Sequence, residues 1–358
     1  MTDIAINGRF LTRAPTGVDR FAMELLRAWL PRFGVGHTVK TLAPSQGLMR
    51  NVEGLQPTRV GRFTGHAWEQ LELSGHCADD MLLSLCNTGP LTRRRQLAVL
   101  HDAGVMARPA TYSLAFRSWY RWLFAGLMKH AGVIATVSRF SAGELMHYVG
   151  RRASAIELIF GAGEHVLRTP ADSRILARLG LEGQTYVLAV GSLTPNKNFN
   201  GVARAATLLT DLDVKVVAAG GANTRVFNRA MLSNDMLIAA GYVTDGELRA
   251  LYENAACFVF PSFYEGFGLP PLEAMHCGCP VLVSDRASLP EVCGEAAVYC
   301  DPDDPADIAQ QIRRILTSTV LRSELRAAGL EHARQFSWSR SAAALNDLLV
   351  TDAIQVAA

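Results

Sequence analysis

The chain has little charge and no block of it. Asp, Glu, Lys and Arg make up 19% of its 358 residues, the net charge is +2, and no like-charge run exceeds Arg93-Arg94-Arg95. Broad electrostatic binding to nucleic acid is excluded on that ground, and a small molecule or a local surface is the expected partner. No apolar run approaches the roughly 20 residues that span a bilayer, and MTDIAINGRF carries no basic-then-apolar leader. The expected location is therefore cytoplasmic. Seven cysteines, at 77, 86, 257, 277, 279, 293 and 300, include no CxxC pair, and an odd number cannot all pair internally. Most lie in apolar stretches such as CFVF and AAVYC, which reads as buried thiols in a reducing compartment. No G-x-G-x-x-G follows the first strand of either half, which argues against a dinucleotide dehydrogenase. There is also no repeat at the 20 to 50 residue scale.

What is present is an alternation. Short runs rich in Val, Ile and Leu alternate with helical patterns, as buried parallel strands joined by crossover helices do. In the first half the strands read IAING, HTVKTLA, MLLSL, LAVLHD, GVIATVS and AIELIF, with helices over 17–30, 67–76, 112–130 and 139–149. In the second they read TYVLAVGSL, DVKVVAAGG, MLIAAGYV, CFVFPS, VLVSD and AAVYCD, with helices near 198–210, 245–255, 269–278, 304–317 and 321–335. The glycines and proline of GAGEHVLRTPADSRILARLGLEGQ, 161–184, suggest a linker. The fold class is α/β: two doubly wound, Rossmann-like domains over 1–170 and 171–335, with a C-terminal helix over 336–358 that packs back on the first. Such sheets bind ligands at the carboxyl ends of their strands.

The densest chemistry lies in PSFYEGFGLPPLEAMHCGCPVLVSD, 261–285. CFVFPS ends a strand at Pro261, and Gly266 and Gly268 permit a tight loop. Pro270 and Pro271 are compatible only with the first turn of a helix starting near Leu269. Glu265 then lies in the loop and Glu273 one turn inside the helix, its side chain leaning back toward the loop. The amides near Gly268 and Leu269 are free donors suited to a diphosphate, and two carboxylates suit hydroxyl groups. A nucleotide sugar supplies both. Acidic side chains are also favourable at any helix start, which would explain one glutamate but not the whole constellation.

EGFGLPPLE reads as an E-x7-E motif, and residues 241–302 around it resemble the family 4 glycosyltransferases, retaining enzymes of the GT-B architecture. INGRFLTRAPTGVDRFAMELL, LAVLHDAGV, IATVSRFSAGEL and AVGSLTPNKNF resemble that family's other conserved segments, thinning between about 35 and 65 and after 340. The resemblance implies catalytic roles for Glu265 and His101, both by the transferred sugar. It implies donor binding by Gly17, Ser192, Lys197, Tyr242, Val243, Gly266, Phe267, Gly268, Leu269 and Glu273, with Glu273 on the ribose and Lys197 on the leaving diphosphate. Many members carry Arg before that lysine, where this chain has Asn196; Arg204 or Arg225 could replace it. A histidine ending an apolar strand is often only a hydrogen-bonded core residue, but His101 is followed by Asp102 at a strand's carboxyl end.

The implied reaction moves a hexose, mannose or glucose, from a nucleoside diphosphate sugar to a glycan or lipid-linked acceptor in bacterial polysaccharide or lipopolysaccharide assembly. No cofactor and no metal are expected. Asp301-Pro302-Asp303-Asp304 contains a DxD pattern but reads as a surface turn, and His276, Cys277 and Cys279 as a packed helix end. A phosphorylase or hydrolase using the two carboxylates, and a non-catalytic nucleotide-sugar binding protein, are the other readings. YSLAFRSWYRWLFAGLMK, 112–129, reads equally as a packed aromatic helix and as a membrane-surface helix at the inner face of the cytoplasmic membrane.

Overall fold

The computed structural model describes residues 3–47, 49–50, 52–150, 155–192, 194–220 and 236–357, with side chains up to 350. The chain forms two compact units, Met1–Gly161 with Trp338–Ala358, and Ala162–Ser337. In the first, β1 (Asp3–Asn7), β2 (Thr38–Pro44), β3 (Pro57–Val60), β4 (Met81–Ser84), β5 (Gln96–Val99), β6 (Val133–Thr136) and β7 (Ile156–Leu158) form one sheet in the order β3-β2-β1-β4-β5-β6-β7. Every pairing is parallel. The second unit has β8 (Tyr186–Val190), β9 (Lys215–Ala219), β10 (Leu237–Gly241), β11 (Cys257–Phe260), β12 (Val281–Ser284) and β13 (Val298–Cys300), ordered β10-β9-β8-β11-β12-β13 and also parallel. Both sheets therefore reverse their strand order once, between β1 and β4 and between β8 and β11. A crevice opens at such a point, because the connections on its two sides run off in opposite directions.

Six strands are legible in the first half of the sequence, and the sheet has seven. The extra strand, β3 (PTRV), begins with a proline and is half exposed. It pairs only with β2 at the sheet edge, where a missing N–H costs no ladder bond and no apolar run is required. The helix expected over 67–76 is two short pieces, Gly65–Leu71 and Leu73–His76. The helix expected over 17–30 runs to Phe33 and passes through Pro31.

The unit boundary corrects the expected domain limits. It falls at Gly161/Ala162 rather than 170/171, and the return at Ser337/Trp338 rather than 335/336. Residues 162–184 are not a loose linker, because they are packed into the second unit. The turn Glu164–Leu167 lies against helix Leu269–His276, and Asp172 N donates to Gly246 O (2.9 Å). A Cβ at Gly163 would stand 2.5 Å from the Leu272 carbonyl carbon and 2.6 Å from Glu273 N, so only glycine allows that approach.

Helix Trp338–Ala357 packs on helix Gly17–Phe33 of the first unit. Trp338, Ala342, Leu345 and Leu349, spaced four, three and four residues apart, are all buried, the stripe of a helix docked along one face. Trp338 meets the edge of Phe21 at 5.6 Å, and Ser341 Oγ donates to Phe160 O (2.6 Å). All seven cysteines are buried free thiols, and burial pushes Cys77 up to about 11.

Gly163→Ala should lower stability by about 1–3 kcal/mol through this backbone clash. The control Gly143→Ala, where nothing lies within 4 Å of the added carbon, should leave the melting temperature unchanged or raised. Paired calorimetric scans compare the two.

Candidate active site

In the second unit, the loops leaving β8 and β11 meet at the reversal point. Phe263 N donates to Asn196 O (2.8 Å), tying one loop to the other. Pro195–Lys197 forms a single tight turn. Asn198 follows it with φ +53, its side chain accepting from Gly201 N (3.1 Å) and donating to Pro302 O (2.7 Å). Lys197 is thereby aimed across to Glu265, with Nζ 2.6 Å from Oε1 and 4.9 Å from the centre of the Phe260 ring. The two side chains are only 20% and 10% exposed, so water screens the pair poorly.

The Glu265 loop is fixed by a residue that the sequence does not single out. Ser288 Oγ, fully buried, contacts both Glu265 O (3.1 Å) and Phe267 O (2.8 Å). Gly268 turns the chain into helix Leu269–His276 with φ +102, and Pro270 and Pro271 occupy the first turn as expected. A Cβ at Gly268 would meet Leu289 at 2.9 Å, so the turn needs glycine for both conformation and space. Phe267 is buried against Phe336, ring centres 5.9 Å apart, so the loop offers its backbone rather than that side chain to a ligand.

Glu273 lies one turn into the helix and is 8% exposed. Its two oxygens have different partners: Tyr252 donates its hydroxyl to Oε2 (3.1 Å), and His165 Nε2 lies 3.0 Å from Oε1. Burial and the neighbouring carboxylate raise the Tyr252 phenol well above its ordinary range, so it stays a donor. Tyr252 comes from helix Asp245–Asn254 and His165 from the Glu164–Leu167 turn. Neither neighbours the motif in sequence, and only the packing of three separate elements brings them to Glu273. A carboxylate has about four acceptor positions, so Glu273 retains capacity for hydroxyl groups.

The other expected residues are more scattered. Ser192 is exposed, 3.3 Å from the Thr194 hydroxyl. Tyr242, 74% exposed, and Val243 follow β10, the edge strand two places from the reversal point. Arg204 is on the exposed face of helix Phe199–Ala206, and Arg225 lies outside the described residues. Asp301 and Asp303 of the DxD pattern face Arg286 at 3.0 and 3.5 Å, and Asp304 caps helix Pro305–Thr317.

His101 and Gly17 belong to the first unit. Gly17 opens its helix behind Thr16, which exchanges capping hydrogen bonds with Asp19. Nothing stands within 4 Å of a Cβ built at Gly17. His101 is buried; its amide donates to Asn87 Oδ1 (2.6 Å), and Nε2 is 2.9 Å from Leu85 O. A carbonyl can only accept, so Nε2 carries the proton and Nδ1 is left as an acceptor. Burial pushes the ring down to about 4, so it is neutral near pH 7.

A basic turn and a loop carboxylate thus meet at the reversal point of a parallel sheet, beside a helix start, on a chain whose two doubly wound units have the GT-B glycosyltransferase fold. The model of glycosyl transferases group 1 matches residues 173–332. O-antigen chain mannosyltransferase B of Escherichia coli is 34% identical over 264 residues, covering 70% of this chain and 68% of that protein. The chain belongs to the group 1 glycosyltransferases. It is also 37% identical over 167 residues to the serotype-specific mannosyltransferase WbdA of Escherichia coli, a match covering 44% of this chain but only 20% of that longer protein. Among solved structures, sucrose-phosphate synthase of Thermosynechococcus elongatus superposes with a TM-score of 0.80 at 19% identity, covering 100% of both chains. HepE of Anabaena in complex with UDP-glucose gives 0.78 at 15% identity, over 98% of this chain and 100% of that one.

Lys197→Met leaves the Glu265 carboxylate unpaired and should cost about 3 kcal/mol of stability. Adding Glu265→Gln should recover most of that loss, and urea unfolding of the two singles and the double reads the coupling. The neutral, depressed His101 contributes stability that is complete above the ordinary histidine value of 6.5 and is lost as pH falls toward 4, because the unfolded chain takes up the proton first. Melting temperature should therefore fall between pH 6.5 and 4, and less steeply in His101→Gln.

Proposed function

We propose that the chain is a retaining family 4 hexosyltransferase, moving mannose or glucose from a nucleoside diphosphate sugar to a glycan or glycolipid in bacterial polysaccharide assembly. The observation that carries this reading is the convergence of Lys197 and Glu265 at the reversal point of the second sheet, next to the start of helix Leu269–His276. The relatives named as mannosyltransferases favour mannose.

In this reading Lys197 and the amides from Gly266 to Leu269 receive the diphosphate, whose negative charge grows as its bond to the sugar breaks. Donors fixed in place before that charge develops stabilise the transition state more than the ground state. Glu265, released from Lys197, accepts from the sugar hydroxyls and faces the positive charge developing at the anomeric carbon. Glu273, oriented by Tyr252 and His165, takes the ribose hydroxyls. Gly17 and His101 of the first unit are assigned to the diphosphate and the donor sugar. The acceptor oxygen bonds to the anomeric carbon on the face that the diphosphate leaves, and its proton passes to a diphosphate oxygen. Lys197 and the amides supply the charge compensation, so neither a metal nor a cofactor is required.

Among the described residues, no helix is long and apolar enough to cross a membrane. Helix Leu114–His130 has one part buried and another exposed. Leu123, Phe124, Leu127 and Met128 are buried in the core of the first unit. Leu114, Phe116 and Trp122 are exposed beside Arg117 and Arg121. We assign that exposed half to a membrane surface, which a lipid-linked acceptor would require.

Donor hydrolysis measured across GDP-, UDP- and ADP-sugars should select a mannose donor over the corresponding glucose donor. Glu265→Gln should cut turnover at least a hundredfold while donor binding persists. Cleavage of an oligosaccharide without any nucleotide would make the protein a hydrolase and sink the proposal.

A further inference from the structure

The first unit has its own reversal point, between β1 and β4, and a second set of polar side chains is buried there. Asn7 ends β1 and Ser84 ends β4, with Asn7 Nδ2 3.5 Å from Ser84 Oγ. Over them lies Glu69, fully buried on helix Gly65–Leu71. Its Oε1 is crowded: Asn7 Nδ2 donates at 2.6 Å, Thr88 Oγ1 at 2.8 Å, and Arg9 Nε lies at 3.3 Å. Burial alone would raise this carboxyl, but Arg9 first, and then the His66, Asn7 and Thr88 side chains, outweigh it and hold Glu69 below its ordinary range.

The other oxygen, Oε2, is buried with no hydrogen-bond partner. Facing it at 3.5 Å is Nδ1 of His66, also buried without one. The His66 ring, about a third exposed (34%), meets Trp119 edge-on at 5.3 Å, and Trp119 Nε1 is a third buried polar atom with no partner. Tyr120 stands 6.0 Å from the same imidazole. Buried polar atoms without a hydrogen bond are rare and costly; here the Glu69 and His66 atoms have only each other, at a long 3.5 Å, and Trp119 Nε1 has no acceptor, which marks a place that another molecule's polar groups can complete.

We propose that His66, Glu69 and Trp119 form a saccharide-hydroxyl subsite that seats the acceptor. An acceptor-only carboxylate oxygen, a donor-only indole N–H and an imidazole nitrogen that can take either part together match groups that both donate and accept, as sugar hydroxyls do. The flat faces of Trp119 and Tyr120 suit the apolar face of a pyranose ring. Rotation of the part-exposed His66 ring uncovers Oε2 for an incoming hydroxyl. The location is the sheet's ligand crevice, and it is separate from the donor residues, all of which but Gly17 and His101 lie in the second unit. The assignment rests on the transferase reading above, which requires an acceptor.

The test uses the nucleotide sugar that the wild type hydrolyses, with methyl α-mannoside, methyl α-glucoside and their α-linked disaccharides as acceptors. His66→Ala and Trp119→Phe should each raise acceptor KM at least tenfold while donor KM moves less than twofold, and His66→Asn should recover part of the loss. Equal rises in both KM values, or no change in either, overturn the subsite. So does a wild type that hydrolyses donor but takes none of these saccharides. If no nucleotide sugar is turned over, the donor reading fails, and saccharide binding followed by tryptophan fluorescence decides the subsite alone. Quenching lost in Trp119→Phe supports it; no quenching, or equal quenching in both proteins, overturns it.

Discussion

The second unit is organised by one ion pair, Lys197 with Glu265, held in a place where water can do little to weaken it. Each partner sits on a loop that leaves a different strand, and the strands are neighbours only because the sheet reverses there. The Phe263–Asn196 backbone bond closes the two loops on each other, and Ser288 pins the glutamate loop from behind. A lysine and a carboxylate 2.6 Å apart satisfy each other. An arriving anion must then compete with Glu265 for Lys197, and the carboxylate it displaces becomes available to the uncharged part of the same ligand. In the proposed reaction, one exchange of partners engages both ends of a molecule that has a charged half and a hydroxylated half.

Glu273 illustrates a different constraint. A carboxylate this well buried is stable only with donors on it, and the fold supplies one to each oxygen from different directions. Tyr252 and His165 fix the plane of the carboxylate before any ligand arrives. The close approach of Gly163 to the Leu272 carbonyl brings the His165 turn within reach, which is how a residue seven positions past the end of β7 comes to serve a helix far along the chain. The unit boundary and the geometry of this glutamate therefore have the same cause.

Much of this architecture was legible in the sequence, since a buried parallel strand is written as a short apolar run. Twelve of the strands are of that kind, and the exception, β3, hides behind a proline because an edge position asks for neither apolarity nor a full set of amides. The turn from Glu265 to Glu273 was also legible, because glycine and paired prolines dictate local backbone geometry almost irrespective of context. Ser288, Tyr252, His165 and the His66–Glu69 pair were not. A serine, a tyrosine or a histidine acquires its role from what tertiary packing places beside it, and no local pattern announces that. His101 stood between the two cases: its position at a strand end was visible, but its neutral state follows from burial.

The return of helix Trp338–Ala357 to the first unit makes the second unit, in chain order, an insertion within the first. During synthesis the whole of residues 162–337 leaves the ribosome before the stripe that covers Phe21 has been made. The later unit in sequence can thus complete its core first, while the earlier one waits with an apolar helix face uncovered. The interval during which that face is open is set by the length of the inserted unit, a vulnerability to misassembly written into the order of the chain.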